Sequence, residues 1–378
     1  MTCILGRRAN LMTPVTLPVL RPLLPKSEHI IPYIEAIDNS RWYSNGGPLV
    51  KSFEERLAHY FQVETEQVST VCNGTLALTQ FLRSLDAPRD SVCVMPSWTF
   101  VATPAAALAA GFNPYFLDVD PQTWLITPAQ VKEVSATQKV GAVIVVSAFG
   151  APVDLAPWDA LTQETGIKVI VDAAAGFDSF RSIGATPFST PVMISFHATK
   201  VSGIGEGAAL VTGDKATGIT LKSMGNFGFS GSRLASLPGI NSKLSEYAGA
   251  LGNAFLDTWD ERRAQWSWLK SAFLHRISDR QQFTVPPDFE SDWVSSYGQI
   301  LLPEHLDASD VIEALESRGI EARKWWGDGC HRQPPYRSFA HNELPVTDGL
   351  AKKVVGLPYW IGMSDSDFDS VFQALDQF

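Results

Sequence analysis

The stretch 193-MISFHATKVSGIGEGAALVTGD-214 places one lysine, Lys200, between an apolar run of strand length and a glycine-rich segment. Gly203, Gly205 and Gly207 follow the lysine at alternate positions. A lysine on an ordinary surface loop needs no glycines around it, whereas a lysine that meets a flat ligand needs backbone close by. We therefore expect these glycines to let the backbone pass close to a ligand held at Lys200. A solvated loop lysine is the plainer alternative.

The composition is that of a globular protein with a sizeable core. The chain has 378 residues, of which 45% are hydrophobic, and its net charge is −10. The dispersed acidic residues argue against a nucleic-acid binder, which needs a basic stripe to follow phosphates. Apolar runs such as 141-GAVIVVSAFG-150 are far shorter than the roughly 20 residues of a membrane-spanning helix. We expect neither nucleic acid nor a membrane as a partner.

The cysteines give no sign of a disulfide framework or a metal centre. Cys3, Cys72, Cys93 and Cys330 lack CxxC spacing, and four in 378 residues is far below the density of a small secreted scaffold. Reduced thiols in the cytoplasm fit this pattern best, and no metal site is predicted.

Apolar runs of strand length alternate with helix-like windows from about residue 50 to 215. The predicted strands are 68–73, 91–96, 114–120, 141–149, 168–174, 192–196 and 208–213, and the predicted helices are 51–61, 75–85, 101–111 and 156–166. Because the strands are continuously apolar, we expect an α/β fold with a mainly parallel central sheet sandwiched by helices. Such sheets bind ligands at the carboxyl ends of their strands. The candidates at those ends are 73-NGT-75, 97-SWTF-100, Gly150, Asp172 and Lys200.

The pattern changes after residue 245. One long helix is predicted over 246–277, and the segments 292–302, 309–319 and 366–375 then read as strand-like and helical pieces. We therefore predict two domains. Residues 1–250 form a large ligand-binding domain, and residues 251–378 form the connecting helix and a smaller C-terminal α/β domain.

Four strand-end features together fit one cofactor. A helix that opens with Gly74 and Thr75 offers backbone N–H groups and its positive end to a phosphate. A buried carboxylate at Asp172 can keep a pyridine nitrogen protonated, the Phe100 ring can cover a flat heterocycle, and Lys200 can condense with an aldehyde. These demands describe pyridoxal 5′-phosphate (PLP), which enzymes hold as a lysine Schiff base. Taken singly, Asp172 could equally cap a helix, and Phe100 could belong to the core.

An ordered series of motifs runs from about residue 15 to the C-terminus. It comprises 42-WYSNGGPLVKSFEERLAHYF-61, 73-NGTLAL-78, 96-PSWTFVAT-103, 116-FLDVDPQTW-124, 149-FGAPVDL-155, 171-VDAA-174, 195-SFHATK-200, 206-EGAALVT-212, 226-NFGF-229, 243-KLSEYAGALG-252, 318-RGIEAR-323, 331-HRQPPYR-337 and 357-LPYW-360. The series resembles the DegT/DnrJ/EryC1/StrS family of PLP-dependent nucleotide-sugar aminotransferases. That resemblance implies the aspartate aminotransferase fold, which is PLP-dependent transferase fold type I.

The resemblance implies roles at the cofactor ring. Lys200 is similar to the Schiff-base lysine, Asp172 to the acidic partner of the ring nitrogen, and Phe100 to the aromatic residue that stacks on the ring. Family members commonly carry glutamine or histidine three residues after the aspartate, where this chain has Ala175. The usual double glycine after the loop glutamate is Gly207-Ala208 here. These departures concern the contact at the ring oxygen and the loop geometry, not the Schiff base.

The resemblance also implies a phosphate site shared between two subunits. Gly74 and Thr75 are similar to the phosphate-binding turn, and Ser195, five residues before Lys200, adds a hydroxyl. Asn226 resembles the asparagine that reaches the phosphate of the neighbouring subunit's cofactor. A homodimer with shared active sites is therefore expected.

The substrates implied are an amino-acid donor, L-glutamate by family analogy, and a keto-deoxy sugar carried on a nucleotide. For His331 and Tyr336 the resemblance implies contact with the sugar or its pyrophosphate, and ordinary loop residues are the alternative. Arg233, in the segment after Asn226, is expected to meet substrate anions. The expected kinetics are ping-pong, because donor and acceptor use the same cofactor in turn.

Four other residues have plainer interpretations. His197 is expected to pack at the end of a strand, and Glu206 to shape the following loop. Trp325 and Trp326 are expected either in the core of the smaller domain or in contact with a nucleotide base.

Three alternatives to transamination stay open. A sister group of dehydratases carries histidine in place of the lysine, whereas this chain keeps Lys200. A cysteine desulfurase needs a mobile cysteine that carries a persulfide, and Cys330 is the candidate. A non-catalytic relative would bind the cofactor or a nucleotide sugar without turnover, and the presence of both Lys200 and Asp172 argues against it.

Overall fold

A seven-stranded sheet forms the centre of the protein. The structure is a computed structural model that describes residues 16–88 and 90–378, so Cys3 and the first fifteen residues of the predicted large domain lie outside it. The strands are β1 (Val68–Val71), β2 (Val92–Pro96), β3 (Asn113–Leu117), β4 (Val140–Val146), β5 (Lys168–Asp172), β6 (Val192–Ser195) and β7 (Ala208–Val211). They lie side by side in the order β1-β7-β6-β5-β4-β2-β3.

The sheet is mainly parallel, as predicted. The pairs β2–β3, β2–β4, β4–β5 and β5–β6 are parallel, whereas β7 pairs antiparallel with β6 on one side and with β1 on the other. The run 193–214 therefore contains most of β6, a loop and the antiparallel return strand β7. The parallel strands bring their carboxyl ends to one edge, while β7 runs back from that edge.

Helices cover both faces of the sheet, because alternate residues of each strand belong to different cores. In β4, Val143 and Val145 pack in one hydrophobic cluster, whereas Ala142 and Ile144 pack in another. The first cluster includes side chains from helices α2 (Pro48–Phe61), α5 (Pro128–Ser135) and α6 (Ala156–Thr165), and the second includes side chains from α3 (Gly74–Ser84), α4 (Ala102–Ala109) and α7 (Lys215–Gly225). Burial on both faces explains why the strands are continuously apolar.

The prediction of one long helix over 246–277 is wrong, because this region forms two helices. Helix α8 (Glu246–Asp257) and helix α9 (Trp259–Ser278) meet at Thr258, whose backbone has φ −112° and ψ 7°. The Thr258 hydroxyl donates to the Phe255 carbonyl oxygen at 3.1 Å, which satisfies the end of α8. Acidic residues in the first turn of α9, Asp260 and Glu261, then favour a new helix start.

The C-terminal part contains a second, two-stranded sheet. Strands β8 (Gly298–Leu301) and β9 (Val354–Leu357) pair antiparallel, and they are accompanied by α10 (Ala308–Glu316), α11 (Pro345–Lys353) and α12 (Asp365–Leu375). Helix α1 (Ser27–Ser40) completes the described helices. The predicted division at residues 250 and 251 falls inside α8 and stays a prediction. Over the described ranges 16–88 and 90–378, no helix has both the length and the apolar character needed to cross a membrane.

A buried carboxylate joins the central sheet to the C-terminal part. The Asp178 side chain is fully buried, six residues beyond the end of β5, and it accepts hydrogen bonds from Arg263 Nε of α9 at 2.8 Å and from the Val294 backbone N–H at 2.9 Å. Arg181 is 3.3 Å from the same carboxylate. Arg181 and Arg263 both reach on to Asp292, whose side chain is 81% exposed. The two arginines thus contact one buried and one exposed carboxylate.

We expect this difference in burial to decide which carboxylate matters for stability. Asp178→Asn removes the buried negative charge that pairs with Arg181 and Arg263. It should therefore lower the free energy of unfolding by about 3–5 kcal/mol. Asp292→Asn is the matched control, because it removes a partner of the same two arginines in solvent, and it should cost about 1 kcal/mol or less. Denaturant unfolding followed by fluorescence measures both. Equal, small effects of the two substitutions would contradict this assignment.

Candidate active site

A cavity of about 740 Å³ lies at the carboxyl ends of the parallel strands. Six of the residues predicted to bind the cofactor line it together: Gly74, Thr75, Phe100, Asp172, Ser195 and Lys200. They come from the segments after β1 and β2, from the last residues of β5 and β6, and from the loop after β6. The sheet topology therefore brings together groups that are up to 126 residues apart between Gly74 and Lys200.

Asp172 ends β5 as a buried carboxylate. Its side chain accepts hydrogen bonds from the Thr103 hydroxyl at 2.8 Å and from the Ala174 backbone N–H at 3.2 Å. Burial raises the pKa of Asp172, and the Thr103 and Ala174 hydrogen bonds and the charge of Lys200 counteract the rise. The segment 173–182 after it contains turns and no α-helix, so the helix-capping alternative fails.

The start of α3 forms a concave backbone surface at the cavity. The Asn73 side chain caps the helix by accepting from the Leu76 N–H at 2.9 Å. The first helical N–H groups, those of Gly74 and Thr75, lie before the internal hydrogen-bond ladder and are available to an anion. A Cβ on Gly74 would lie 3.1 Å from the Met193 sulfur, so a side chain there would be crowded. Ser195 adds a buried hydroxyl nearby in the cavity lining.

Lys200 reaches from the loop after β6 toward the C-terminal part. Its Nζ donates a hydrogen bond of 2.6 Å to the Tyr297 hydroxyl and lies 5.0 Å from the centre of the Tyr297 ring. Tyr297 also lines the cavity. The plainer expectation of a solvated loop lysine is therefore wrong. Neither Tyr297 nor Thr103 was predicted as a site residue. Thr103 ends the motif 96-PSWTFVAT-103 but was given no role, and Tyr297 lies outside the motifs.

The glycines after Lys200 have a different purpose from the one predicted. None of Gly203, Gly205 and Gly207 lines the cavity among the described residues. A Cβ on Gly203 would lie 2.6 Å from the Ala198 carbonyl oxygen, and Gly205 has a φ of 105°, which side chains disfavour. Gly203 is required because the loop packs against its own backbone there, and Gly205 because of its positive φ. The expectation that they admit a ligand is corrected accordingly.

Several aromatic rings form part of the cavity wall. Trp326 stacks on Phe149 with ring centres 3.9 Å apart and 17° between the planes. Trp325 meets Tyr297 edge to face at 5.0 Å, and the Arg323 guanidinium lies 5.1 Å from the Trp325 ring centre. All five line the cavity. Both tryptophans thus line the cavity and pack against the core, and their contact with a nucleotide base stays a prediction.

Three further residues that the sequence analysis discussed, His197, Glu206 and Ala175, also line the cavity. His197 and Glu206 lie close together, with 3.8 Å between His197 Nε2 and a Glu206 oxygen. Ala175 offers no polar side-chain atom, so the contact that glutamine or histidine makes in other family members cannot form there. Phe100 is 55% exposed, as expected for a ring that covers a ligand rather than a core.

Two of the predicted substrate residues, His331 and Tyr336, are buried. Buried His331 is bonded through Nδ1 to the Ser97 hydroxyl at 2.7 Å and through Nε2 to Asp348 at 3.1 Å. Burial lowers the pKa of His331, which Asp348 partly opposes. Tyr336 donates to the Val101 carbonyl oxygen at 3.3 Å. Neither belongs to the cavity lining of the described residues, and their role in binding substrate stays a prediction.

Asn226 and Arg233 also lie outside the lining of this chain's own cavity in the described structure. Asn226 ends α7 and is paired with Asn241, and Arg233 is exposed in the following segment. Their expected roles across a dimer stay predictions.

Cys330 does not have the properties of a mobile sulfur carrier. It is 1% exposed, and its thiol contacts the Thr99 carbonyl oxygen at 3.3 Å. Burial raises the pKa of Cys330 to about 12, so the reactive thiolate is disfavoured. The desulfurase alternative loses the residue on which it depended.

The cavity fits PLP on its own chemistry. Asp172 is a buried carboxylate with no full counter-charge, and a protonated pyridine nitrogen supplies one. The N-terminus of α3 suits the phosphate, Phe100 can cover the ring, and Lys200 supplies the amine that bonds the aldehyde. Lys200, Asp172 and α3 line one cavity.

Comparisons with known proteins agree with this chemistry. The chain matches the sequence model of the DegT/DnrJ/EryC1/StrS aminotransferase family over residues 25–376. It is 27% identical over 364 residues to the dTDP-4-amino-4,6-dideoxy-D-glucose transaminase of Escherichia coli, with 94% of this chain and 96% of that enzyme aligned. It is 32% identical over 312 residues to the transaminase of the same name from Shigella dysenteriae, with 82% of this chain and 84% of that relative aligned.

A solved structure shows the same fold. DesI, determined in the presence of its TDP-sugar product, superposes with a TM-score of 0.86 at 30% sequence identity, covering 97% of this chain and 93% of DesI. The predicted resemblance, the fold type and the cofactor are confirmed. This protein therefore belongs to the DegT/DnrJ/EryC1/StrS aminotransferase family and is a PLP-dependent enzyme of fold type I.

Proposed function

We propose that this protein transfers an amino group from an amino acid to a keto-deoxy sugar carried on a nucleotide. The observation that carries the proposal is the single cavity that holds Lys200, Asp172 and the start of α3. The transaminases of Escherichia coli and Shigella dysenteriae are named for a dTDP-linked amino sugar, and DesI was solved with a TDP-sugar product. L-Glutamate is the donor that the family resemblance implies.

The dimensions of the cavity suit such a substrate. Its volume, about 740 Å³, falls within the range of roughly 300–1,000 Å³ that small-molecule sites occupy. Arg323 provides a positive charge at the wall, although Glu321 pairs with it at 2.6 Å. Trp325 and Trp326 provide flat apolar surface for a sugar or a base. A net charge of −10 gives no long-range attraction for an anionic nucleotide, so local donors must bind it.

The chemistry depends on two side chains. When bound, PLP supplies an electron-withdrawing ring and an aldehyde that can carry the amino group between substrates. Asp172 holds a proton on the ring nitrogen, which keeps the ring electron-poor. The freed Lys200 amine acts as general base and acid, taking a proton from the α-carbon of the donor and later returning one to the sugar carbon. Donor and acceptor occupy the same cavity in turn, which gives ping-pong kinetics.

The setting that we propose is the cytoplasm. Cys72, Cys93 and Cys330 are free thiols in the described structure, which supports a reducing compartment.

The proposed function predicts that Lys200→Ala abolishes transamination. The substitution removes the proton-transferring amine, while α3 still offers its N-terminus to the phosphate. The assay incubates the PLP-loaded protein with L-glutamate and a panel of keto-nucleotide-sugars, and mass spectrometry detects the amino sugar. Exchange of a keto oxygen for an amino group raises the mass by about 1 Da, against a background set by the Lys200→Ala protein. Near-normal turnover by that variant would contradict the assignment.

A second prediction concerns the charge of Asp172. Asp172→Asn keeps the shape but removes the partner of the ring nitrogen, so kcat should fall by about 100-fold or more. The variant should still fold, because the Thr103 and Ala174 contacts surround a group of the same size. Steady-state kinetics with matched PLP occupancy measure the loss. Wild-type kinetics in this variant would show that Asp172 has only a structural role.

The raised pKa of Asp172 predicts a pH dependence of the cofactor-free protein. The folded state binds this proton more tightly than the unfolded chain, so the stabilisation is complete below the ordinary carboxyl pKa of about 4 and is lost as the pH rises through the raised value. Near neutral pH the cofactor-free Asp172→Asn protein should therefore melt at a higher temperature than the wild type. Added PLP should raise the melting temperature of the variant less than it raises that of the wild type. Thermal unfolding at pH 5 and pH 8, with and without PLP, tests the sign.

We propose further that the active unit is a homodimer with shared sites. Large apolar side chains are exposed on the segments before α2 and after α7 and on α8: Trp42, Tyr43, Phe227, Leu234 and Tyr247. Leu234 is 78% exposed, and it lies in the same segment as Asn226 and Arg233. Burial of this surface by a second copy supports a large interface, on the order of 2,000 Å² or more. Asn226 would then reach the phosphate of the partner's cofactor, and Arg233 a substrate anion.

Shared sites predict complementation between two inactive variants. In a mixed dimer of Lys200→Ala and Asn226→Ala chains, one of the two sites has both wild-type residues, so the purified mixed dimer should have about half of the wild-type activity. Differently tagged chains, unfolded together and refolded, allow the mixed dimer to be purified and assayed. Each variant refolded alone is the control. A purified mixed dimer without recovered activity, or a fully active monomer, would contradict the shared site.

A further inference from the structure

Tyr297 lines this site, and neither the sequence motifs nor the family resemblance gave it a role. Its hydroxyl accepts a hydrogen bond from Lys200 Nζ at 2.6 Å. Across the described ranges 16–88 and 90–378, no other side-chain hydrogen bond from this amine is present. The contact joins residues 97 positions apart, one in the loop after β6 and one just before β8.

The position of Tyr297 is fixed by its neighbours rather than by a flexible loop. The Tyr297 backbone N–H donates to the Ser295 hydroxyl at 3.2 Å, and that hydroxyl donates to the Phe149 carbonyl oxygen at 2.9 Å. The ring meets Phe149 edge to face at 5.5 Å and Trp325 at 5.0 Å. Ser295 is 1% exposed, so this anchor is buried. These contacts therefore hold the Tyr297 hydroxyl in a fixed position at the cavity.

A lysine side chain needs such a support more than most residues do. Four rotatable bonds separate its amine from the backbone, and a free amine samples many positions. In the proposed reaction Lys200 must bond the cofactor in one stage and move protons as a free amine in another. The direction of the amine in the free stage decides how often it meets the reacting carbon.

We propose that Tyr297 is a positioning residue that holds the Lys200 amine whenever that amine is not bonded to the cofactor. The proposal deepens the proposed function and rests on it for the proton-transfer stage. Its first stage needs only the capture of PLP. There the neutral Lys200 amine would form a carbon–nitrogen double bond to the aldehyde carbon, and the aldehyde oxygen would leave as water with the two amine hydrogens. A held amine should meet the aldehyde sooner than a free one.

The test of the first stage uses cofactor-free protein and PLP. Tyr297→Phe keeps the ring contacts with Phe149 and Trp325 and removes only the hydroxyl. Stopped-flow absorbance should show covalent capture slowed by about 3- to 10-fold, as expected for the loss of one hydrogen bond. Tyr115→Phe is the matched control, because it removes a hydroxyl with a 2.7 Å hydrogen bond to Asn342 outside the cavity. Capture by this control should equal that of the wild type.

A double-mutant cycle separates positioning from a general structural effect. In the Lys200→Ala background no amine remains to be held, so adding Tyr297→Phe should leave the dissociation constant of PLP, measured by equilibrium dialysis, unchanged. Weaker PLP binding in that background would show that Tyr297 shapes the cavity instead, and it would overturn the proposal. Equal capture rates for Tyr297→Phe and wild type would overturn it as well.

The second stage is read from the half-reaction with L-glutamate deuterated at the α-carbon. Slower proton transfer in Tyr297→Phe should lower kcat with little change in KM, and the deuterium isotope effect on kcat should rise. An unchanged isotope effect with a raised KM would assign Tyr297 to donor binding and overturn the proposal. If the wild type captures PLP but aminates no nucleotide sugar, the proposed function fails while the capture experiment still decides the role of Tyr297.

Discussion

The site depends on one costly feature, a carboxylate buried at the end of β5. Asp172 is 6% exposed, and burial of its charge is unfavourable without compensation. The chain compensates this charge in part. The Thr103 hydroxyl donates to the carboxylate at 2.8 Å and is itself bonded to the Thr99 hydroxyl at 2.7 Å, the Ala174 N–H donates at 3.2 Å, and the charge of Lys200 also acts on it. The opposing effects leave the pKa of Asp172 raised. Asp172 lies at the wall of a cavity without a full counter-charge. Such a carboxylate favours the binding of a cationic ligand.

The parallel sheet explains why the other groups converge on that carboxylate. Strands β2, β4, β5 and β6 run in the same direction, so the segments that follow them leave from one edge. Phe100 follows β2, Asp172 ends β5, and Lys200 follows β6. Strand β1 also ends at that edge, because it pairs antiparallel with the reversed strand β7, and α3 starts there. Strand order and direction therefore determine which segments of the chain meet at the site.

The sequence predicted site residues that a few adjacent residues identify. It did not predict residues that join the site through contacts with distant parts of the chain. The turn before α3 and the acidic end of β5 can be read from a few adjacent residues, so Gly74 and Asp172 were identified. Tyr297 was missed because its contact with Lys200 spans 97 positions and lies in an unremarkable segment. The glycines after Lys200 were recognised but misinterpreted. Close approach of backbone to backbone, as at Gly203, requires glycine just as close approach to a ligand does.

The segment after β5 links the stability of the fold to the geometry of the lysine. Asp172 begins this segment, and six residues later buried Asp178 accepts the Val294 N–H at 2.9 Å. Val294 precedes Ser295, whose hydroxyl anchors Tyr297, and Tyr297 holds the Lys200 amine. One stretch of chain thus carries the partner of the cofactor ring and fixes the support of the lysine. A disturbance at Asp178 would reach Lys200 through three consecutive contacts, although no atom of Asp178 lines the cavity.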